Sequence, residues 1–174
     1  MTVQLPNSSK QNGSSTTVEK PGAHSSVLMP PRYSKKNENV VTGERLDNHY
    51  TVSHDGGKTF SNPVSTGIRG QASSVCAIGG ERLLALHAVR RDTDRPGIYG
   101  CIVDLSEGKW SIVKKALLWE PSVPVTKDTK MAEIFSFLKF GQPGAILLND
   151  GDIMMSHWYA ENGQYKTVAS RIRL

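Results

Sequence analysis

The stretch that decides the fold is Ser53-His54-Asp55-Gly56-Gly57-Lys58-Thr59-Phe60, which lies between two β-prone runs. Asp-Gly-Gly in this position is typical of a hairpin turn, because glycine adopts positive φ at no steric cost. Asp55 can accept hydrogen bonds from backbone N–H groups inside the turn, as the aspartate of an Asx-turn does. Ser53 and Thr59 can cap the two strand ends, and Phe60 can fold back beneath the turn. The stretch therefore predicts a tight turn held by its own side chains.

Beyond residue 20 the sequence predicts short β-strands and no convincing helix. Glycine, proline, asparagine and aspartate separate the β-prone runs, which favours an all-β fold. The predicted strands are 25–29, 50–52, 73–78, 82–89, 97–103, 110–114, 144–148, 153–159 and 167–174. The segment 131–138 fits either a helical turn or a strand. Residues 1–20 hold too few apolar side chains to offset the entropy of ordering, so we expect a disordered tail at 1–20 and one domain over 21–174.

The composition excludes several classes of protein. The chain has 174 residues and a formal net charge of +5, but its lysines and arginines are scattered, whereas a nucleic-acid binder concentrates them on one element. No apolar run approaches the roughly 18 residues of a membrane helix. The first 20 residues lack the apolar core of a secretory signal. We expect a soluble protein that binds neither nucleic acid nor membrane, and the sequence assigns it no cellular location.

The two cysteines do not indicate a disulfide framework. Cys76 and Cys101 each lie in an apolar, strand-like run, which favours two buried thiols over a disulfide. No cysteine or histidine spacing suggests a zinc site. We therefore expect no metal and no cofactor.

A repeat organises the chain. The segments 22–27, 70–75 and 141–146 resemble one another, and the second and third run through a tight turn into a strand that ends on His87 or His157. The first unit finishes with the turn stretch quoted above, and the second finishes with a shortened version of it. Each unit is predicted to be a four-stranded antiparallel sheet, which is the unit of a β-propeller. About three such sheets, or blades, are expected.

The turn stretch resembles the Asp-box, or BNR repeat, of sialidases (neuraminidases) and related β-propellers. Residues 50–174 are similar to the C-terminal half of sialidase-like six-bladed propellers. This similarity is carried by the Asp-box and by 66–71, Arg90-Arg91, 95–98, 117–120, 140–143 and 150–153. The resemblance implies a partial six-bladed-type β-propeller of about three antiparallel blades, with the Asp-box on the outer rim between the last two strands of a blade. Asp55 then marks the fold and is not a catalytic carboxylate.

The resemblance also implies a sialidase-like exo-glycosidase, a hydrolase that acts on a terminal acidic sugar. Such enzymes use a tyrosine nucleophile activated by a glutamate, an aspartate as acid/base, and three arginines that clamp the substrate carboxylate. Here Gln142 stands at the position comparable to the tyrosine, and the N-terminal blades that carry the acid/base are absent from the sequence. The catalytic machinery is therefore expected to be incomplete, as in a fragment, and no catalytic residue is assigned. The alternative is a non-catalytic carbohydrate-binding or scaffold propeller.

Five residues are candidates for binding a carbohydrate ligand: Arg69, Gln71, Arg91, Gln142 and His157. The arginines lie at strand ends and can pair with a carboxylate through their fork of N–H donors, although arginines there are commonly solvated surface residues. The glutamines recur at equivalent repeat positions, which fits a polar role at the propeller centre or a hydrogen bond that fastens each first strand. For the histidines, burial with a backbone partner is favoured over catalysis. Unpaired blade edges also predict self-association.

Overall fold

The computed structural model describes residues 14–20, 23–29, 47–90, 93–122 and 139–174. These residues form strands and turns, and none of their segments is a helix that could span a membrane. The strands are β1 (Ser14–Lys20), β2 (Ala23–Met29), β3 (His49–Ser53), β4 (Val64–Ser65), β5 (Ala72–Gly79), β6 (Arg82–Val89), β7 (Gly97–Asp104), β8 (Ser111–Trp119), β9 (Phe140–Leu147), β10 (Ile153–Glu161) and β11 (Gln164–Ile172). The prediction of an all-β fold is confirmed.

The strands form three antiparallel sheets in which chain neighbours pair. The first sheet has the order β1-β2-β3-β4, the middle sheet β5-β6-β7-β8, and the third sheet β9-β10-β11. Strand β5 contacts both β1 and β9, so the first strands of the three sheets lie side by side. The sheets therefore follow one another in series, with the middle sheet between the other two.

Two sequence predictions fail in the first sheet. Residues 14–20 form strand β1, so the prediction of a disordered tail does not hold for them, while residues 1–13 lie outside the described part of the chain. The run Ser-Ser-Thr-Thr-Val is rich in β-prone residues, and all seven residues of β1 pair with β2. The second failure concerns the repeat. Ala23–Met29 is the second strand of the first sheet, whereas the repeat equated it with Ala72–Gly79, the first strand of the middle sheet. The ambiguous segment 131–138 also lies outside the described residues.

The other predicted strands are found, and the largest extensions are in β8 and β9. Strand β8 continues to Trp119, beyond the predicted end at 114, and β9 begins at Phe140, ahead of the predicted start at 144. Cys76 and Cys101 are free and buried, as predicted.

Strand β6 is covered on both faces. Leu83 and Ala85 pack towards the first sheet in a cluster that includes Tyr50. Leu84 and Leu86 point to the opposite face, because successive side chains of a strand alternate, and they pack in a second cluster with members from the third sheet, Phe140, Ile153 and Met155. The middle sheet therefore holds the core of the described structure.

The Asp-box is a closed hydrogen-bonded turn between β3 and β4. Asp55 Oδ1 accepts from the backbone N–H groups of Lys58 and Thr59, both at 2.9 Å, and Oδ2 accepts from Thr59 Oγ1 at 2.6 Å. Ser53 Oγ donates to Asp55 at 2.7 Å and accepts from Gly57 N at 2.8 Å. The Thr59 hydroxyl, followed by these other donors, holds the pKa of Asp55 well below its usual range. Phe60 is 45% exposed, so its predicted packing beneath the turn is only partial.

Replacing Asp55 by alanine is expected to lower the melting temperature, because backbone donors of the turn lose their acceptor. Asp55→Asn should lower it less, since an amide oxygen can replace part of the acceptor set. Because the folded pKa of Asp55 is depressed, its stabilisation is present above pH 3.8 and declines as the pH falls below that value. Thermal denaturation at pH 7 and at pH 3 measures both effects. The matched control is Glu107→Ala, an exposed carboxylate in the β7–β8 turn; an equal melting temperature for both variants would contradict the role of Asp55.

Candidate functional site

A cleft of about 450 Å³ opens where the first sheet meets the middle sheet. Its walls come from the segment before β3, the connection between β4 and β5, the end of β6, the segment before β7, and strands β7 and β8. The lining residues are Asp47, Gly67, Ile68, Arg69, Val89, Thr93, Tyr99 and Lys115. Two cationic side chains and one aromatic ring therefore face a shared space.

Arg69 lies in the cleft, and its charge is paired. Its Nε donates to Asp47 Oδ1 at 3.1 Å, and Ser65 Oγ donates to the other carboxylate oxygen of Asp47 at 2.8 Å. The Ser65 hydroxyl and then the Arg69 guanidinium lower the pKa of Asp47. The Arg69 side chain remains 53% exposed, so it can still reach a ligand. Arg69 lies in the connection between β4 and β5 and not at the end of a strand, and its binding of a ligand stays a prediction.

Lys115 and Tyr99 form the opposite side of the cleft, and sequence reasoning missed both. Lys115 Nζ lies 5.1 Å from the centroid of the Tyr99 ring, a cation–π distance. Tyr99 Oη donates to the carbonyl oxygen of Arg95 at 2.7 Å, and the Arg95 guanidinium pairs with Glu120 at 3.0 Å. The tyrosine ring is therefore held by its hydroxyl. The dipeptide Lys114-Lys115 could have drawn attention to this strand in the sequence. Strand alternation shows that the two lysines face opposite sides of the sheet, but not which of them faces the cleft.

Gln71 fastens the start of β5 and does not line the cleft. Its side chain donates to the carbonyl oxygen of Arg69 at 3.2 Å and accepts from the backbone N–H of Arg90 at 2.6 Å. Of the two interpretations left open for this glutamine, the structure favours the fastening hydrogen bond.

Arg90 connects the middle sheet to the third sheet. Its Nε donates to the carbonyl oxygen of Phe140 at 2.6 Å, and its guanidinium lies 5.8 Å from the centroid of the Phe140 ring. The guanidinium also lies directly against Gly141, where an added Cβ would collide with it. Arg90 is therefore a structural side chain, and the adjacent candidate Arg91 lies outside the described residues.

Gln142 lies at a bulge in the third sheet and is not among the residues that line the cleft. Ser156 pairs with Gly144 and Trp158 with Gly141, so two residues of β9 stand opposite His157 alone. Gln142 is exposed and has a φ of +48°, which is uncommon for a residue other than glycine.

The two repeat-equivalent histidines are buried, as predicted, but their partners differ from the prediction. His87 Nδ1 lies 2.9 Å from Ser73 Oγ, so its partner is a hydroxyl and not the backbone. Neither ring nitrogen of His157 has a hydrogen-bond partner among the residues described, and its ring packs on Trp119 at a centroid distance of 4.6 Å. Burial, and secondarily the charge of Lys115, lowers the pKa of His87 to about 4, and burial lowers that of His157. Neither histidine is among the cleft-lining residues.

Large aromatic side chains occupy the junction between the middle and third sheets. Trp119 contacts Phe140, His157 and Tyr159, with ring centroids 5.2, 4.6 and 5.6 Å away. The junction between the first and middle sheets also holds an aromatic pair, Tyr50 and Trp110, with ring centroids 4.9 Å apart. Ile68 and Val89 are the aliphatic residues that line the cleft there.

In the described ranges, no three histidine, cysteine, aspartate or glutamate side chains come together as a metal site would require. The charged and aromatic side chains that line the cleft are two cations, one paired carboxylate and a phenol ring.

A similar fold occurs in the crystal structure of a protein of unknown function from Dyadobacter fermentans, with a TM-score of 0.57. The two sequences are 17% identical, and the match covers 98% of this chain and 41% of that chain. No protein-family model and no curated protein matches the chain. The chain thus spans less than half the length of the protein it resembles, and the likeness concerns the fold alone.

The stability of the protein is expected to fall as the pH is lowered from 6.5 towards 4. His87 has its ordinary pKa of 6.5 when unfolded and about 4 when folded, so the unfolded chain binds the proton first. The difference between these two pKa values corresponds to about 3 kcal/mol of unfolding free energy. This contribution is fully lost once the pH is below both pKa values. Urea denaturation at several pH values measures it. His87→Gln should flatten the dependence of stability on pH, and an unchanged slope in this variant would contradict the assignment.

Proposed function

We propose that the chain is part of a sialidase-like β-propeller that binds an acidic terminal sugar in the cleft between the first and middle sheets. The propeller arrangement is supported by the side-by-side contacts of β1, β5 and β9. It is also supported by the Asp-box, which joins the third and fourth strands of its sheet, as the resemblance implies. The match to less than half of a longer chain fits a partial propeller.

The observation that carries the proposal is the convergence of Arg69, Lys115 and Tyr99 on one cleft. A guanidinium and an ammonium both form charge-assisted hydrogen bonds with a carboxylate. An aromatic ring offers an apolar face with a polar tip, which suits the mixed surface of a sugar. A few polar groups on a concave surface are the usual composition of a small-molecule site.

The cleft supports binding better than hydrolysis. A tyrosine nucleophile needs an adjacent base, but the Tyr99 hydroxyl donates to a backbone carbonyl oxygen. Asp47, the carboxylate of the cleft, is held by Ser65 and Arg69 and has a lowered pKa, so it is a poor general acid. We therefore favour the non-catalytic carbohydrate-binding propeller. The exo-glycosidase remains the second candidate, favoured by Arg69 in the sequence Arg-Gly-Gln of the resemblance, and its acid/base and nucleophile would come from outside the described residues.

Binding of 3′-sialyllactose and of lactose separates these functions. We expect the acidic trisaccharide to bind at least about tenfold more tightly than the neutral disaccharide, since a charge-assisted hydrogen bond contributes on the order of that factor. A fluorogenic sialoside should not be turned over. Isothermal titration and a fluorescence assay measure the two quantities. Equal affinity for both sugars would refute the acidic-sugar site, and turnover that Arg69→Ala abolishes would favour the glycosidase.

Self-association forms part of the proposal. One face of the third sheet exposes apolar side chains, with Ile146 55% and Tyr165 78% exposed, and Tyr165 contacts Trp158 at a centroid distance of 5.8 Å. Apolar faces of this kind are common at protein–protein contacts.

Sedimentation at micromolar concentration is expected to show dimers or larger species. The double variant Ile146→Ser/Tyr165→Ser should shift the distribution towards the monomer, because it removes the two most exposed apolar groups of this face. Val113→Ser provides the control, since Val113 is 59% exposed on the edge strand β8 of the middle sheet. A compact monomer for the unmodified chain would contradict self-association.

A further inference from the structure

The two cations of the cleft differ in how far their charge is already compensated. Arg69 donates to Asp47, so a carboxylate lies in direct contact with its guanidinium. Lys115 has no ion-pair partner among the residues that the structure describes, and its recorded contact is with the face of the Tyr99 ring. A ring face attracts a cation but carries no net charge to cancel it. The field that an approaching anion meets is therefore stronger at Lys115 than at Arg69.

The position of Lys115 is also set by its surroundings. It pairs across the sheet with Cys101, whereas Lys114 pairs with Ile102 and points to the opposite face. Lys115 and Cys101 lie on the same face of the sheet as Tyr99 and His87. Burial lowers the pKa of His87 and raises that of Cys101, and the charge of Lys115 adds to the first shift and opposes the second. Below the ammonium, the Tyr99 ring is held by the hydrogen bond to Arg95.

We propose that Lys115, held over the face of Tyr99, recognises the anionic group of the cleft's ligand, and that Arg69 is a positioning residue that acts through Asp47. This inference rests on the proposed binding function and names the residues that give it specificity. A ligand carboxylate binds the Lys115 ammonium, and the adjoining sugar face lies along the Tyr99 ring. Arg69 and Asp47, with Ser65, fix the segment between β4 and β5 that forms the facing wall.

The two roles predict different responses to charge on the ligand. The probes are 3′-sialyllactose and its methyl ester, which differ only in the charge and one methyl group of the carboxyl. Lys115→Gln should weaken binding of the acid about tenfold and leave binding of the ester almost unchanged, because the lost interaction is with the carboxylate. Arg69→Gln should weaken binding of both probes by a similar factor, since it loosens the wall and not the anion contact.

Two variants control the experiment. Lys114→Gln removes the same charge from the opposite face of β8 and should bind both probes like the unmodified protein. Lys115→Arg keeps the charge and should retain the preference for the acid. Titration calorimetry at one salt concentration measures all affinities, because exposed charge interactions depend on ionic strength.

The outcomes separate the inference from the function on which it rests. If the unmodified protein binds neither probe, both the function and the inference fail. If it prefers the acid and Lys115→Gln keeps that preference, the inference alone is overturned. Loss of the preference in Arg69→Gln, with the preference intact in Lys115→Gln, would reverse the two roles.

Discussion

Burial of strand β6 on both faces is the constraint on which the rest of the structure depends. Its side chains from Leu83 to Ala88 are all buried, with exposures of 3% or less. One set packs against the first sheet and the alternate set against the third. A strand of this kind has no face left for water, so the middle sheet is stable only with a sheet on each side. Each of its buried leucines contributes roughly 1.5–3 kcal/mol of apolar transfer free energy, before the entropy of ordering is counted.

The series of sheets determines where a ligand site can form. The connections at the ends of neighbouring sheets come together where two sheets meet. Trp119 and its aromatic neighbours pack at the junction of the middle and third sheets, and the cleft lies at the other junction, with Ile68 and Val89 among its lining residues. Gln71 and Arg90 hold the strand ends beside these junctions through hydrogen bonds of 2.6 Å. The cleft with Lys115 and Tyr99 thus lies beside strand ends that hydrogen bonds hold in place.

The features that could be predicted from the sequence are those that depend on residues close together in the chain. The Asp-box turn follows from Asp55 and two glycines within a few residues, and β6 follows from an apolar run with clear ends. Strand β1 was missed because residues 1–20 were judged together by their low apolar content, which concealed the β-prone Thr-Thr-Val within Ser14–Lys20. Lys115 was missed because its place in the cleft depends on its contact with the Tyr99 ring of the neighbouring strand β7. Gln142 and His157 were chosen as ligand-binding residues because of their positions in the repeat. Gln142 instead lies at a β-bulge, and His157 is buried against the ring of Trp119.

Native-state hydrogen exchange of the backbone amides tests the central claim, that the middle sheet is covered on both faces. Amides of β6 should exchange most slowly of all, at a rate set by global unfolding, because they open only when both neighbouring sheets separate. Amides of β11, an edge strand with mostly exposed side chains, should exchange much faster through local opening. Exchange of β6 at the rate of β11 would mean that the middle sheet is not enclosed, and the account of both the core and the cleft would be contradicted.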